Sequence, residues 1–157
     1  MKNIIIIISI VVAAFFILRP NKDARKVLFF NKTYESTLPN DDPCLDKIKC
    51  IAIYITPWCP HCRASEPMLK ALEANSQNSS MYGLKLFIGN DSPENTKKMS
   101  AMFNFPVFDD TDSKLKKLFP RGVPAWLVID VKKRKVIKEQ AGLPKDAYAF
   151  IQYALDL

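Results

Sequence analysis

The spacing of apolar residues changes along the chain, and each spacing predicts a type of element. Residues 51–56 are an apolar, largely β-branched run that predicts a buried strand. Residues 62–73 place apolar side chains at helical spacing and predict an amphipathic helix. Further along follow a strand at 84–88, helices at 93–102 and 114–119, a strand hairpin at 125–131 and 135–138, and a helix at 145–154. This order predicts an α/β domain with a central mixed sheet flanked by helices on both faces.

The N-terminal segment is apolar almost throughout residues 4–18 and is preceded by a lysine. At about 1.5 Å per residue it spans somewhat less than a ~30 Å hydrocarbon core, so it is either a secretory signal or a short membrane anchor. We favour an uncleaved anchor, because the small pair at 13–14 is followed by large apolar residues rather than by a cleavage site.

Three segments are therefore expected: a signal anchor or signal peptide over 1–19, a tether with a possible extra strand over 20–47, and one domain over 48–157. Two signals disagree about the compartment. Basic residues are more numerous after the apolar segment, which the positive-inside rule interprets as a cytoplasmic domain. Four cysteines in a small domain favour an oxidising compartment. We favour export, with the domain anchored in the inner membrane facing the periplasm or released after cleavage.

Two thiols at Cys-x-x-Cys spacing lie within Trp58-Cys59-Pro60-His61-Cys62, at the junction between the first strand and helix. Unpaired N–H groups and the dipole at a helix start stabilise a thiolate, which is the species that attacks disulfides. Cys59 is therefore the predicted nucleophile with an exposed sulfur, and Cys62, one turn further, is the shielded resolving thiol. Protonated His61 adds positive charge beside Cys59 and is expected to make the disulfide more oxidising.

Two further cysteines, Cys44 and Cys50, precede the first strand. We expect a structural disulfide that closes a small loop. The alternatives are two free thiols, or a second redox pair that exchanges with Cys59–Cys62. A zinc site built from all four cysteines is also compatible with the spacing, although we expect no metal. No cofactor other than the redox-active Cys59–Cys62 disulfide is expected.

The formal net charge is +7. The basic residues are spread along the chain without interleaved aromatic residues, so they indicate solvated faces and attraction to anionic lipid. No nucleic-acid partner is expected.

Three separated features resemble the thioredoxin superfamily: the pentapeptide 58–62, Pro67, and the segment Arg121-Gly122-Val123-Pro124-Ala125. The resemblance implies a thioredoxin fold over about residues 48–157 and a helix kink at Pro67. It also implies that Pro124 is cis and lies opposite the dithiol, where Trp58, Val123 and Pro124 would bind substrate. Cys59, Pro60, His61 and Cys62 would form the catalytic motif.

Two branches of the superfamily match different parts of the sequence. The Pro60-His61 pair resembles the periplasmic disulfide oxidase. The anchor, the length, the segment at 105–109 and the proline hairpin resemble the membrane-anchored TlpA and ResA type. Ile53 stands where family members often keep a buried acid, so proton transfer would use water, His61 or Glu66.

The expected function is that of a thiol:disulfide oxidoreductase acting on cysteines of exported proteins and recharged by a membrane or periplasmic redox partner. The direction of electron flow stays open. The alternatives are a metal-binding or metallochaperone module that uses Cys59 and Cys62 with His61, and a redox-inactive scaffold.

Overall fold

In the computed structural model of this protein, the described residues are 42–157 without 106, 120 and 134. The predicted anchor at 1–19 and most of the predicted tether lie outside them. Within the described part of the chain, no helix has the length and apolar character needed to span a bilayer.

The described residues form five strands, four α-helices and one 3₁₀ helix. The strands are β1 (Lys49–Ile55), β2 (Tyr82–Gly89), β3 (Val107–Asp110), β4 (Ala125–Asp130) and β5 (Lys135–Ala141). The α-helices are α1 (Pro60–Ala64), α2 (Glu66–Gln77), α3 (Pro93–Ser100) and α4 (Ala147–Leu155), and the 3₁₀ helix is Lys116–Leu118.

The strands form one mixed sheet in the order β3-β2-β1-β4-β5, which leaves β3 and β5 at its edges. The central strand β1 pairs in parallel with β2 and antiparallel with β4, so that Ile51 lies between Leu84 and Val128. β3 continues the parallel side next to β2, and β4 and β5 form the antiparallel hairpin. The predicted mixed sheet and hairpin are confirmed.

Alternate residues of each central strand enter two separate cores. On one face, Ile53 lies beside Leu86 and Trp126 and packs with side chains of the four described α-helices. On the other face, Tyr54 packs with Phe119, which follows the 3₁₀ helix. Both faces are covered, as predicted. The second face is covered by the 3₁₀ helix and the loop before β1.

Two predicted helices differ in detail from the structure, and one strand was not predicted. The helix predicted from residue 62 is two helices separated at Ser65, and Pro67 lies in the first turn of α2, where a missing N–H costs no helical hydrogen bond. The helix predicted at 114–119 is a single 3₁₀ turn. The edge strand β3 was not predicted, because four residues ending in two aspartates carry no strand periodicity.

The loop before β1 is seated against the sheet at Gly83. A Cβ atom on Gly83 would lie 1.9 Å from the carbonyl oxygen of Pro43, so the loop can approach only because this residue is glycine. Cys44, the next residue of the loop, is fully buried. The predicted domain boundary between residues 47 and 48 therefore falls inside the packed region.

An ion pair fixes the same loop. Lys85 is only 2% exposed, and its ammonium group binds the carboxylate of Asp42. Burial lowers the pKa of Lys85, and the hydrogen bond and charge of Asp42 act in the opposite direction. The other carboxylate oxygen of Asp42 accepts a hydrogen bond from the Cys44 N–H at 2.9 Å. Asp42 therefore neutralises a buried charge and shapes the turn before Cys44.

Candidate active site

Cys59 lies in the turn between β1 and α1, at the N-cap of the helix. Its sulfur accepts a hydrogen bond from the Cys62 N–H at 3.4 Å, and its carbonyl oxygen accepts one from the Arg63 N–H at 3.1 Å. Pro60 occupies the start of the helix, where no N–H is required. The spacing of the motif thus places both sulfurs at the beginning of α1.

Cys62 is fully buried, and both Cys59 and Cys62 are thiols. Burial, followed by the hydrogen bond with Cys59, raises the pKa of Cys62 from 9.0 to about 12. The backbone and hydroxyl of Thr56 act in the opposite direction, although their effect is smaller than that of burial. Cys62 is therefore protonated at neutral pH, as suits a shielded second thiol.

A segment more than sixty residues away in the chain lies beside the first sulfur. The thiol of Cys59 donates to the carbonyl oxygen of Val123 at 3.7 Å, and the Val123–Pro124 peptide bond is cis. Gly122 has φ of +104°, a left-handed conformation that glycine adopts readily. The fold thus brings the proline segment and the dithiol together. Cys59 is only 4% exposed, so the prediction of an exposed sulfur is wrong, because this segment lies against it.

Trp58 lies at the surface next to Cys59. Its side chain is 53% exposed, and its indole N–H donates to the carbonyl oxygen of Asn90 at 3.0 Å. The ring also borders a groove of about 330 Å³ that includes Arg63 and Met99. This position fixes the indole at the rim of the site.

His61 is exposed on α1 and lines a second groove of about 520 Å³. The apolar part of its lining comes from α1, α2, the proline segment and the loop after β5: Ala64, Pro67, Met68, Val123, Pro124, Leu143 and Pro144. Lys145 adds a second basic side chain to the rim. The contribution of residues 143–145 was not predicted, and the sequence signal for it is the apolar pair Leu143-Pro144, which follows Gly142 after β5.

The chain superposes on several solved structures. The pneumococcal exposed lipoprotein thioredoxin Etrx1 of Streptococcus pneumoniae superposes with a TM-score of 0.60 at 20% identity, over 72% of this chain and 87% of that one. A thiol:disulfide interchange protein from Chlorobium tepidum gives 0.55 at 23% identity, over 71% and 82%. A secreted disulfide oxidoreductase of Mycobacterium tuberculosis gives 0.53 at 17% identity, over 72% and 84%.

The chain has the thioredoxin fold. No protein-family model matches the sequence, and no curated protein matches it. The fold expected from the three motifs is confirmed by this structural likeness.

The sheet of this thioredoxin fold has no acid at the predicted proton-transfer position, since Ile53 is fully buried among apolar side chains. Glu66, one of the predicted substitutes, pairs with Lys70 at 2.7 Å on α2. Asp110 is buried on the opposite face, where it accepts hydrogen bonds from the Tyr54 hydroxyl and the Leu115 N–H, both at 2.9 Å. Asp110 thus supports the 3₁₀ segment rather than the dithiol.

Cys44 and Cys50 are joined by a disulfide, with their Cα atoms 5.4 Å apart. The alternative of two free thiols is therefore wrong, and a zinc site from all four cysteines is incompatible with this bond. Both residues are fully buried, Cys50 at the start of β1 and Cys44 in the loop before it, whereas Cys59 follows the other end of the strand, about 20 Å away along it. Among the described residues, no group of three or more His, Cys, Asp or Glu is placed to hold a metal ion.

Proposed function

We propose that this protein is a thiol:disulfide oxidoreductase that exchanges disulfides with cysteines of exported proteins through Cys59 and Cys62. The observation that carries the proposal is the pairing of the two sulfurs at the start of α1, with the Val123 carbonyl against the first of them. The thioredoxin fold supports it, because solved structures of this fold include proteins described as thiol:disulfide interchange proteins and disulfide oxidoreductases.

The surroundings of the two thiols support different roles, because Cys59 lies at the N-cap of α1 against the Val123 carbonyl, whereas burial raises the pKa of Cys62. In the oxidising direction, a substrate thiolate attacks the sulfur of Cys59 in the Cys59–Cys62 disulfide. A bond forms between the substrate and Cys59, and the electron pair of the broken bond leaves on Cys62. A second substrate thiolate then attacks the first substrate sulfur and releases Cys59. The substrate loses two electrons, and the protein becomes a dithiol after taking up two protons.

In the reducing direction the same steps run backwards. The Cys59 thiolate attacks a substrate disulfide, and Cys62 then attacks Cys59 and releases the second substrate sulfur. The basic side chains of His61 and Lys145 at the rim of the larger groove support the oxidising direction, since positive charge favours the reduced thiolate. The apolar lining of that groove provides a surface for the chain that flanks a substrate cysteine.

Location outside the cytoplasm is part of the proposal. Two of the similar structures are described as an exposed lipoprotein and as a secreted protein. The buried Cys44–Cys50 disulfide also suits an oxidising compartment. We place the domain at the outer face of the inner membrane, held by residues 1–19, where a membrane or periplasmic redox partner recharges the dithiol.

The test uses single replacements of each active-site sulfur. The wild type is expected to oxidise or reduce a cysteine-containing peptide, and Cys59→Ser is expected to lose this turnover because no sulfur remains for attack. Cys62→Ala is expected to accumulate a mixed disulfide between Cys59 and the peptide, detected by mass spectrometry. Turnover that persists in Cys59→Ser would contradict the assignment.

Two further measurements separate the direction and the competing function. Equilibration with glutathione distinguishes an oxidant, near about −120 mV, from a reductant, near about −270 mV, and we expect a value nearer the oxidant. Metal analysis of the reduced protein addresses the metallochaperone alternative. Stoichiometric zinc or copper without redox cycling would favour that alternative over the oxidoreductase.

A further inference from the structure

The hydroxyl group of Thr56 is a buried polar group next to the dithiol. Thr56 directly follows β1 and is fully buried, and its carbonyl oxygen accepts a hydrogen bond from the Cys59 N–H at 3.2 Å. Its side-chain oxygen makes no hydrogen bond of good geometry with the described residues in the dithiol form. A buried hydroxyl without a partner costs free energy, and such groups are rare in native proteins.

The hydrogen bond from the Cys59 N–H holds the buried Thr56 against the dithiol, whose second sulfur is that of Cys62. The backbone N–H and the hydroxyl of Thr56 both stabilise the ionised form of that sulfur, against the larger effect of burial. A thiol is a weak hydrogen-bond acceptor, whereas a thiolate accepts strong, charge-assisted hydrogen bonds. The hydroxyl therefore gains a good partner only while Cys62 carries negative charge.

We propose that Thr56 donates its hydroxyl hydrogen bond to the Cys62 sulfur when that sulfur leaves as a thiolate, and that this bond accelerates opening of the Cys59–Cys62 disulfide. The inference rests on the proposed oxidoreductase function and adds a catalytic residue to it. An interaction that is stronger in the transition state than in the ground state lowers the barrier.

The step needs no reagent beyond the substrate thiolate. As that thiolate bonds to Cys59, the Cys59–Cys62 bond breaks and its electron pair moves to Cys62. The Thr56 hydroxyl donates to this charge without giving up its proton, and water then protonates the sulfur. By microscopic reversibility, the same bond stabilises Cys62 when it attacks a mixed disulfide in the reducing direction. The neutral Thr56 hydroxyl thus provides a hydrogen-bond donor near the dithiol of a chain in which the buried Ile53 offers no acid.

The test compares two replacements in the oxidised full chain. Thr56→Val keeps the shape and removes the hydroxyl, whereas Thr56→Ser keeps the hydroxyl. The rate constant for opening of the Cys59–Cys62 disulfide by glutathione is followed by rapid quenching and mass analysis of the Cys59 adduct. We expect Thr56→Val to open about tenfold more slowly, the loss typical of one hydrogen bond to a charged group. Thr56→Ser should react at nearly the wild-type rate.

A second measurement separates this role from a structural one. Because Thr56→Val removes a buried hydroxyl that lacks a good partner, the reduced variant should unfold at the same temperature as the wild type or a higher one. Wild-type opening rates in Thr56→Val, or equally slow rates in Thr56→Ser and Thr56→Val, would overturn the inference while leaving the proposed function intact. A wild-type disulfide that glutathione does not open would overturn both.

Discussion

The sulfur of Cys59 lies 3.7 Å from the carbonyl oxygen of Val123. This contact joins the turn between β1 and α1 to the segment that precedes β4. The thiol donates to this carbonyl, and any sulfur that attacks Cys59 must approach beside the same segment. The Val123 side chain lines the groove that also contains His61. The charge carried at position 123 should therefore control how fast Cys59 reacts.

Replacing Val123 with Asp is expected to slow alkylation of Cys59 by the neutral reagent iodoacetamide by about three- to tenfold, because a carboxylate near the sulfur disfavours the thiolate. Val123→Asn is the matched control, since it has the same shape without the charge. The difference between the two variants should shrink at high salt. Equal slowing in both variants would show that shape rather than charge is responsible.

The reduced protein should lose stability at alkaline pH because of Cys62. The folded state raises the pKa of this thiol from 9.0 to about 12, so the unfolded chain releases its proton first. The stabilising contribution is complete below about pH 9 and is lost towards pH 12, at up to about 1.4 kcal/mol per pH unit.

Urea unfolding of the reduced wild type and reduced Cys62→Ala at pH 8 and pH 10 measures this contribution. The wild type should lose more free energy of unfolding over that range than the variant, which lacks the titrating thiol. Burial also raises the pKa of Tyr82 to about 12, but Tyr82 is present in both proteins and cancels in the difference. Parallel pH dependence in the two proteins would contradict the prediction.

Removing the Cys44–Cys50 disulfide should reduce the stability of the fold and leave thiol-disulfide exchange by Cys59 and Cys62 nearly unchanged. Cys44→Ala combined with Cys50→Ala opens a short loop, with an expected loss of about 2 kcal/mol in the free energy of unfolding. Turnover by Cys59 and Cys62 should remain within a factor of about two, because the two pairs lie at opposite ends of β1. A folded double variant without turnover would instead support the alternative of a second redox pair.

Replacing Asp42 in the Asp42–Lys85 ion pair should lower the free energy of unfolding more than replacing Lys85. Asp42→Asn removes one carboxylate partner from the buried ammonium of Lys85 and is expected to destabilise the fold by about 3 kcal/mol. The amide oxygen of Asn can still accept from the Cys44 N–H. Lys85→Met removes the buried charge, keeps the contact with Phe108, and should cost less. Thermal unfolding of both variants measures this, and an equal or larger loss in Lys85→Met would contradict it.

The parts of the fold that depend on local pattern could be predicted from the sequence. The apolar run of β1 and the Cys-x-x-Cys spacing place Cys59 and Cys62 at a strand-to-helix junction, where the structure has them. The edge strand β3 could not be predicted, because Asp110 is stabilised there by the distant Tyr54 hydroxyl. A buried carboxylate with remote hydrogen-bond donors has no local signature.

In the candidate site as well, some features follow from the local sequence and others depend on contacts between distant residues. Residues within the pentapeptide and the proline segment are recognisable by type and spacing. Thr56 is an ordinary residue in sequence, and only its burial beside the dithiol and the missing partner of its hydroxyl make it notable. The reduced exposure of Cys59 depends on contact with Val123, which chain spacing alone cannot give.

The two edge strands of the sheet, β3 and β5, determine whether an extended chain can add to the sheet as a further strand. β3 is only four residues long, and β5 carries Lys135, Lys138 and Glu139 along the opposite edge. Short or charged edge strands are poor templates for further strand addition. Under the proposed function, a cysteine-bearing chain would therefore leave after sulfur exchange instead of adding a strand to the edge of the sheet.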